Sequence, residues 1–151
     1  MKGTVVYHSR YGNNEKVAKA IAEGLEEAGQ DVTLVNAKDT GDLGPGFDFL
    51  VMGSPTRTGR ASGPVKKFIK NKLGGDWKGK PYAAFGTCLQ RTCDLGEKSS
   101  GKDIHKILGD KGLKPVAEAL DAPVGGMKGP VSEDTLARAR EFGKEIGSNL
   151  G

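Results

Sequence analysis

Ser9-Arg10-Tyr11-Gly12-Asn13-Asn14 sets a hydroxyl, a glycine and two amides between an apolar run, Thr4-Val5-Val6-Tyr7, and a segment with helical periodicity. A short turn from a buried strand into a helix exposes the first N–H groups of the helix, which lack intrahelical partners, at the positive end of its dipole. Glycine lets a ligand come close to the backbone. Together these features suit a phosphate cradle, and they also fit an ordinary strand-to-helix turn with an asparagine cap. Two further loops could join it: Ser54 to Gly63, and Thr87 to about Asp94. In open parallel sheets, ligands collect beyond the carboxyl ends of the strands, where strand order reverses.

The remaining reactive types are sparse. Cys88, Cys93, His8 and His105 do not make metal-ligand spacing. Two cysteines are too few for a disulfide scaffold and are expected to be reduced in a cytoplasm. Cys88 reads as a small, buried, inert thiol, with a redox dithiol of Cys88 and Cys93 as the alternative.

Short apolar runs alternate with helical periodicities, the pattern of an α/β fold with a parallel sheet wrapped by helices. Strands are expected at residues 3–8, 32–35, 49–52 (ending at Gly53), 82–85 and, least regularly, 115–120. Val17, Ala18, Ile21, Ala22 and Leu25 make one apolar helix face, closed by Gly29. Gly63-Pro64 opens a second helix bearing Val65, Phe68, Ile69 and Leu73. A loop from about Thr87 to Lys102 leads to a short helix at Ile104, Ile107 and Leu108. Ser132, followed by Glu133 and Asp134, caps the last helix, whose apolar face is Leu136, Ala139, Phe142, Ile146 and Leu150. Between 37 and 46 any helix must be very short. Trp77 precedes the fourth strand and reads as packing.

With 151 residues and no composition break, the chain is expected to be a single domain, 1–151. Its 24 glycines follow no fixed period, so they mark turns rather than repeats. No apolar run approaches the roughly 18 to 20 residues that span a bilayer, and the start lacks the pattern of a signal peptide, so the chain is read as cytoplasmic. A net charge of +4 raises the question of nucleic acid. Basic residues interleaved with acids along the whole chain describe a solvated mixed surface instead.

The loop Ser9 to Asn14 resembles the phosphate loop of flavodoxins, which runs Ser/Thr, any residue, Thr/Tyr, Gly, Asn and usually Thr. Gly53-Ser54-Pro55-Thr56-Arg57, continuing through Thr58-Gly59-Arg60-Ala61-Ser62-Gly63-Pro64, is similar to the family's second flavin loop. Lys128-Gly129-Pro130 before an amphipathic helix is similar to the way these domains end. The resemblance implies a three-layer, doubly wound, five-stranded parallel sheet of order 2-1-3-4-5 and non-covalently bound FMN. Ser9, Tyr11, Gly12, Asn13 and Asn14 would hold the phosphate, with a backbone N–H from Arg10. Pro55, Thr56, Arg57, Thr58 and Gly59 would line one side of the ring, and Thr87, Cys88 and Leu89 the other. Asn14 departs from the usual Thr, and neither ring loop carries the aromatic residue many flavodoxins stack on the ring. Lost stacking, roughly 0.5–1.5 kcal/mol, implies looser FMN binding.

The implied function is electron transfer between redox partner proteins by a monomer. The basic charge departs from the family's usual acidity and implies acidic partners. The alternatives are a small FMN-dependent NAD(P)H:quinone-type reductase and a flavodoxin-fold binding module that has lost FMN. A receiver domain is excluded by His8-Ser9 and Gly53-Ser54 where acidic residues are required. A nucleotide P-loop at Gly74 to Lys80 is excluded by Pro81 where Ser or Thr is required. Positive charge beside the anionic reduced ring favours reduction. At ~7 Å and an effective dielectric of ~20, a guanidinium contributes about 2.4 kcal/mol, on the order of 100 mV per electron. Arg57→Ala is expected to lower the potential of the step that produces the anion by up to about that amount in a redox titration. An unchanged potential removes Arg57 from the role.

Overall fold

The computed structural model describes residues 1–9, 11–38, 46–56, 59–89, 93, 98–125 and 130–150. The chain runs β1 (Lys2–Tyr7), α1 (Asn13–Glu27), β2 (Asp31–Asn36), β3 (Phe49–Pro55), α2 (Gly63–Lys72), a 3-10 turn (Gly75–Trp77) and β4 (Pro81–Leu89). It continues through α3 (Ser100–Asp110), β5 (Lys114–Pro115), β6 (Leu120–Val124) and α4 (Glu133–Leu150). Every strand pair is parallel, in the order β2-β1-β3-β4-β5, with β6 also on β4.

β5 and β6 are two pieces of one outer strand, so the sheet has the expected order 2-1-3-4-5. The boundary differs from the sequence reading of 115–120. Pro115 pairs with Tyr82 and Leu120 with Phe85, so the outer strand spends five residues where β4 spends three. After a last bond from the Val116 N–H to the Tyr82 carbonyl (3.0 Å), residues 117–119 therefore leave the ladder, and pairing resumes over Leu120–Val124. Asp121 and Pro123 are poor formers of an interior strand but are tolerated at an edge. The helices α4 and α3 hold this edge from either side: Asn149 Nδ2 donates to the Val116 carbonyl (2.7 Å), Thr135 Oγ1 to the Pro123 carbonyl (3.1 Å), and Lys102 pairs with Asp121 (3.5 Å).

Alternation along the strands sends successive side chains to opposite faces. Val5, Val51, Ala83 and Phe85 pack with Val17, Ile21, Leu25, Phe142 and Ile146 of α1 and α4. Val6, Leu50, Met52, Tyr82 and Ala84 pack with Val65, Phe68 and Ile69 of α2 and Ile104 and Leu108 of α3. Trp77, 2% exposed, belongs to this second core and is a packing residue. Tyr82 donates its hydroxyl to the His105 carbonyl (2.7 Å), and burial together with the Asp110 carboxylate raises its phenol above the usual value. α1 ends where expected, Gly29 taking a left-handed φ of 88° and donating to Glu26. Ser132 caps α4 by accepting from the Thr135 N–H (3.1 Å).

Gly53 does not end β3, and Thr87, Cys88 and Leu89 do not begin a loop; both strands run on, with Ser54 paired to Gly86 and Pro55 to Thr87. The glycines are there for contact. A Cβ on Gly53 would overlap the Phe85 ring, and one on Gly86 would overlap Ser100 and lie 2.6 Å from the Gly101 nitrogen.

α1 and α4 touch through glycine as well. A Cβ on Gly24 would overlap the Arg140 carbonyl, and one on Gly143 the Ile21 carbonyl and, at 2.9 Å, the Leu25 nitrogen. In an isolated helix Gly→Ala stabilises by about 1 kcal/mol. Here overpacking against backbone outweighs that gain, and Gly143→Ala is expected to destabilise by about 2 kcal/mol in chemical denaturation. A stabilised variant would mean the two helices can separate without loss.

Candidate functional site

β1 pairs on both sides, Tyr7 lying between Asn36 and Gly53, so the chain leaving it emerges at the sheet's carboxyl edge. The turn into α1 is held by Ser9, whose Oγ accepts from the Gly12 N–H (2.9 Å). The helix cap is Gly12 itself, at φ 90° and without a side-chain cap bond, so neither asparagine caps the helix. The space into which a Gly12 side chain would project is open. Tyr7 donates its hydroxyl to Glu15 (2.9 Å), fixing the acidic residue of the first turn. Asn14 is 1% exposed, and neither its Nδ2 nor its Oδ1 has a partner. An unsatisfied buried amide costs about 1–3 kcal/mol, a cost proteins generally carry where something else completes the site.

The loop after β3 is pinned at both ends. Thr56 N–H donates to the Thr87 carbonyl (3.0 Å), and Thr56 Oγ1 donates to Ser100 Oγ (3.0 Å). Ser100 Oγ passes its own proton to the Ser54 carbonyl (2.6 Å), and the Ser100 N–H returns to Thr56 Oγ1 (3.1 Å). At the far end Ala61 N–H donates to Asp103 (2.9 Å) and Ser62 N–H to Ser54 Oγ (2.8 Å), while Ser62 Oγ lies 2.8 Å from His8 Nδ1. The opening turn of α3 thus sets the second loop. These bonds hold Thr56 and the β3 end in fixed register with β4.

Between the ends of β1, β3, β4 and β6 lies a cleft of about 230 Å³. It is lined by Ser9, Tyr11, Asn13 and Asn14 from the first turn, Pro55 and Thr56 from the second, Thr87, Cys88 and Leu89 from β4, and Val124 from β6. Tyr11 (39% exposed) and Leu89 (44%) are two of the few large apolar side chains left open to solvent among the described residues, and both face this cleft. Apolar surface gathered in a concavity with a few convergent polar groups marks a small-molecule site. A wider groove of about 450 Å³, beside α2 and lined by Lys38, Lys67 and Lys72 among others, contains none of the expected residues.

Of the residues singled out in the sequence, Gly12 sits at the cap beside the cleft, and Gly59, at φ 76°, lies outside it against Lys98. Arg10, Arg57 and Thr58 lie outside the described residues, as do Lys128 and Gly129. Sequence reasoning missed Val124, because the fifth strand was placed too early. It also missed His8, Ser100 and Asp103, polar residues whose spacing says nothing of a contact 40 or more positions away. A further expectation is overturned. Cys88 and Cys93 are joined by a disulfide, their Cα atoms 5.8 Å apart, so Cys88 is not an inert thiol in this structure. The Cα separation suits a bridge, and nothing in the intervening spacing announced it. Among the described residues no cluster of His, Cys, Asp or Glu could hold a metal ion, and no helix is long and apolar enough to cross a membrane.

A family model described as "Flavodoxin domain" matches residues 4–121. The chain belongs to the flavodoxin family. Its fold agrees across the whole length with a flavodoxin from the domain Archaea (21% identity, TM-score 0.78, 99% of each chain) and with Flavodoxin 1 of Bacillus cereus (20%, 0.78, 100% of each). A flavodoxin, WrbA-like protein from Agrobacterium tumefaciens aligns at 24% identity and TM-score 0.75 over 97% of this chain and 95% of that one. In sequence, this flavodoxin-family chain is 30% identical over 115 residues to a Brucella ovis protein named NAD(P)H dehydrogenase (quinone), covering 61% of this chain and 57% of that protein. A Caulobacter vibrioides protein of the same name is 32% identical over 101 residues, 50% of this chain and 48% of that one. The chain therefore spans only about half the length of these relatives.

The unpaired Asn14 amide gives the site a stability signature. Asn14→Ala removes a buried unsatisfied group and adds a better helix former. The ligand-free variant is expected to be more stable than the parent by about 1 kcal/mol in chemical denaturation. A loss of stability would show that Asn14 serves the fold rather than a ligand.

Proposed function

We propose that this chain binds FMN non-covalently in the cleft and carries electrons between redox proteins. The observation that carries the reading is Asn14: a buried amide without a protein partner, in the first turn of α1, beside open space at Gly12 and the hydroxyl of Ser9. Those groups fit a phosphate dianion, which would take the α1 N–H groups and the Asn14 amide, while the helix dipole favours its charge. Ser9 accepts from Gly12, so its own proton is free to point at a phosphate oxygen. Pro55, Leu89 and Val124 supply apolar walls for a flat ring, and Thr56, which also lines the cleft, is held by Ser100. FMN supplies the redox chemistry when bound; the protein sets its position and surroundings.

Two observations bear on carrier against enzyme. Among the described residues, no carboxylate, histidine or lysine lines the cleft, so it offers no evident proton donor for substrate turnover beyond Tyr11 and small hydroxyls. That supports a carrier. The names of the Brucella and Caulobacter relatives support the second reading, an FMN-dependent NAD(P)H:quinone reductase. The net charge of +4 supports acidic redox partners, whose encounter rate falls as salt screens the attraction.

Titrating FMN into the purified protein is expected to give one-to-one heat and a visible flavin spectrum that stays with the protein on gel filtration. Asn14→Ala is expected to weaken binding at least tenfold, about 1.4 kcal/mol. No heat and a colourless protein would overturn the reading. With FMN bound, steady NAD(P)H oxidation in the presence of a quinone would favour the reductase. Rapid electron exchange with an acidic redox protein, slowed by added salt, would favour the carrier.

A further inference from the structure

We propose that Cys88 and Cys93 form a redox-active disulfide that exchanges two electrons with the flavin held in the cleft, an inference that rests on the FMN reading above. Cys88 is the penultimate residue of β4, 4% exposed, and lines the cleft between Thr87 and Leu89. Cys93, half-buried, is bridged to it from five residues further along. One cysteine therefore belongs to the wall expected to face the ring, and its partner, half-buried, lies outside the lining of the cleft.

The bridge does little that the fold requires. Cys88 is already fixed by β4 pairing, with Pro123 of β6 opposite it and Thr87 opposite Pro55. The entropic benefit of a disulfide grows with the loop it closes, and a separation of five residues is at the small end. The surroundings also suit the open form. Cys93 Sγ lies 3.6 Å from the Cys88 carbonyl, an acceptor already in place for a thiol proton. Strand alternation puts Cys88 on the same face of β4 as Gly86, where a Cβ would meet Ser100 and Gly101 at the start of α3.

The step balances without another oxidant or reductant. The anionic two-electron-reduced flavin gives up two electrons and one proton and becomes oxidised flavin; the S–S bond breaks, one sulfur takes that proton and the other takes one from water. In reverse, the dithiol reduces the flavin, so the pair would add a second two-electron store beside the first and offer Cys93 to thiol or disulfide partners outside.

The test is an anaerobic dithionite titration of the FMN-loaded protein, followed by flavin absorbance, with samples quenched in N-ethylmaleimide and weighed intact. The wild type is expected to take up four electrons per protein and to gain two maleimide adducts as the flavin bleaches. Cys93→Ser, retaining FMN, is expected to take up two. Without FMN, the bridge in the wild type is expected to open at least tenfold more slowly. Uptake of two electrons with no adducts, two free thiols in the air-oxidised protein, or equal opening rates with and without FMN would each overturn the proposal while the flavin reading stands. Failure of FMN to co-elute with the protein would overturn both, and gel filtration before the titration identifies that case.

Discussion

Parallel pairing of β1 with β2 on one side and β3 on the other is the constraint on which the cleft depends. Because the strands all point one way, every strand-to-helix turn is delivered to the same edge. Because the chain winds outward first to β2 and then back across β1 to β3, the turns after β1 and β3 diverge to opposite faces. The space between them needs no dedicated residue to create it. What the sequence adds is the lining: small and polar groups in the first turn, apolar ones at the ends of β4 and β6. The stability of the scaffold lies mostly in two separate apolar clusters, one per face.

Elements whose signal is local were legible in the residues. β1, α1, α2 and α4 are long, strongly periodic or fully buried, so hydrophobic pattern and caps are enough. The first turn could be placed at the mouth of the cleft because a short link from a buried strand to a helix must emerge at the sheet's carboxyl edge. What escaped was set by partners distant in sequence. Gly53 and Gly86 look like strand breakers until Phe85 and Ser100 are seen against them, and Gly24 and Gly143 look like weak points in helices until the helices touch. The outer strand was misplaced because its Asp and Pro are penalised by propensity, which does not know that an edge strand needs pairing on one side only. The Cys88–Cys93 bridge was weighed only as an alternative, since pairing of two thiols depends on a loop closure that spacing does not encode.

The cleft that emerges has an uneven character. Its end at the first turn of α1 is polar and partly unsatisfied, and its other end is apolar and carries no charged side chain among the described residues. Such a division suits a ligand with a charged tail and a flat, weakly polar head. Position at the apolar end is controlled indirectly, through the chain of hydroxyls from Thr56 to Ser100 to Ser54. α3 is thereby a structural participant in the site although none of its residues lines it.

The broken outer strand has a consequence beyond the site. Lys114 and Val116 direct their N–H groups inward, to the carbonyls of Lys80 and Tyr82, so the position between them faces outward, and there Pro115 has no hydrogen to offer. The carbonyls of Val116 and Pro123 are already taken by Asn149 and Thr135. An extended peptide laid along this margin would meet a missing donor, occupied acceptors and a break in pitch, the features that stop a sheet from templating its own growth. This margin of the sheet is thus closed to fibril-like stacking of one copy on the next.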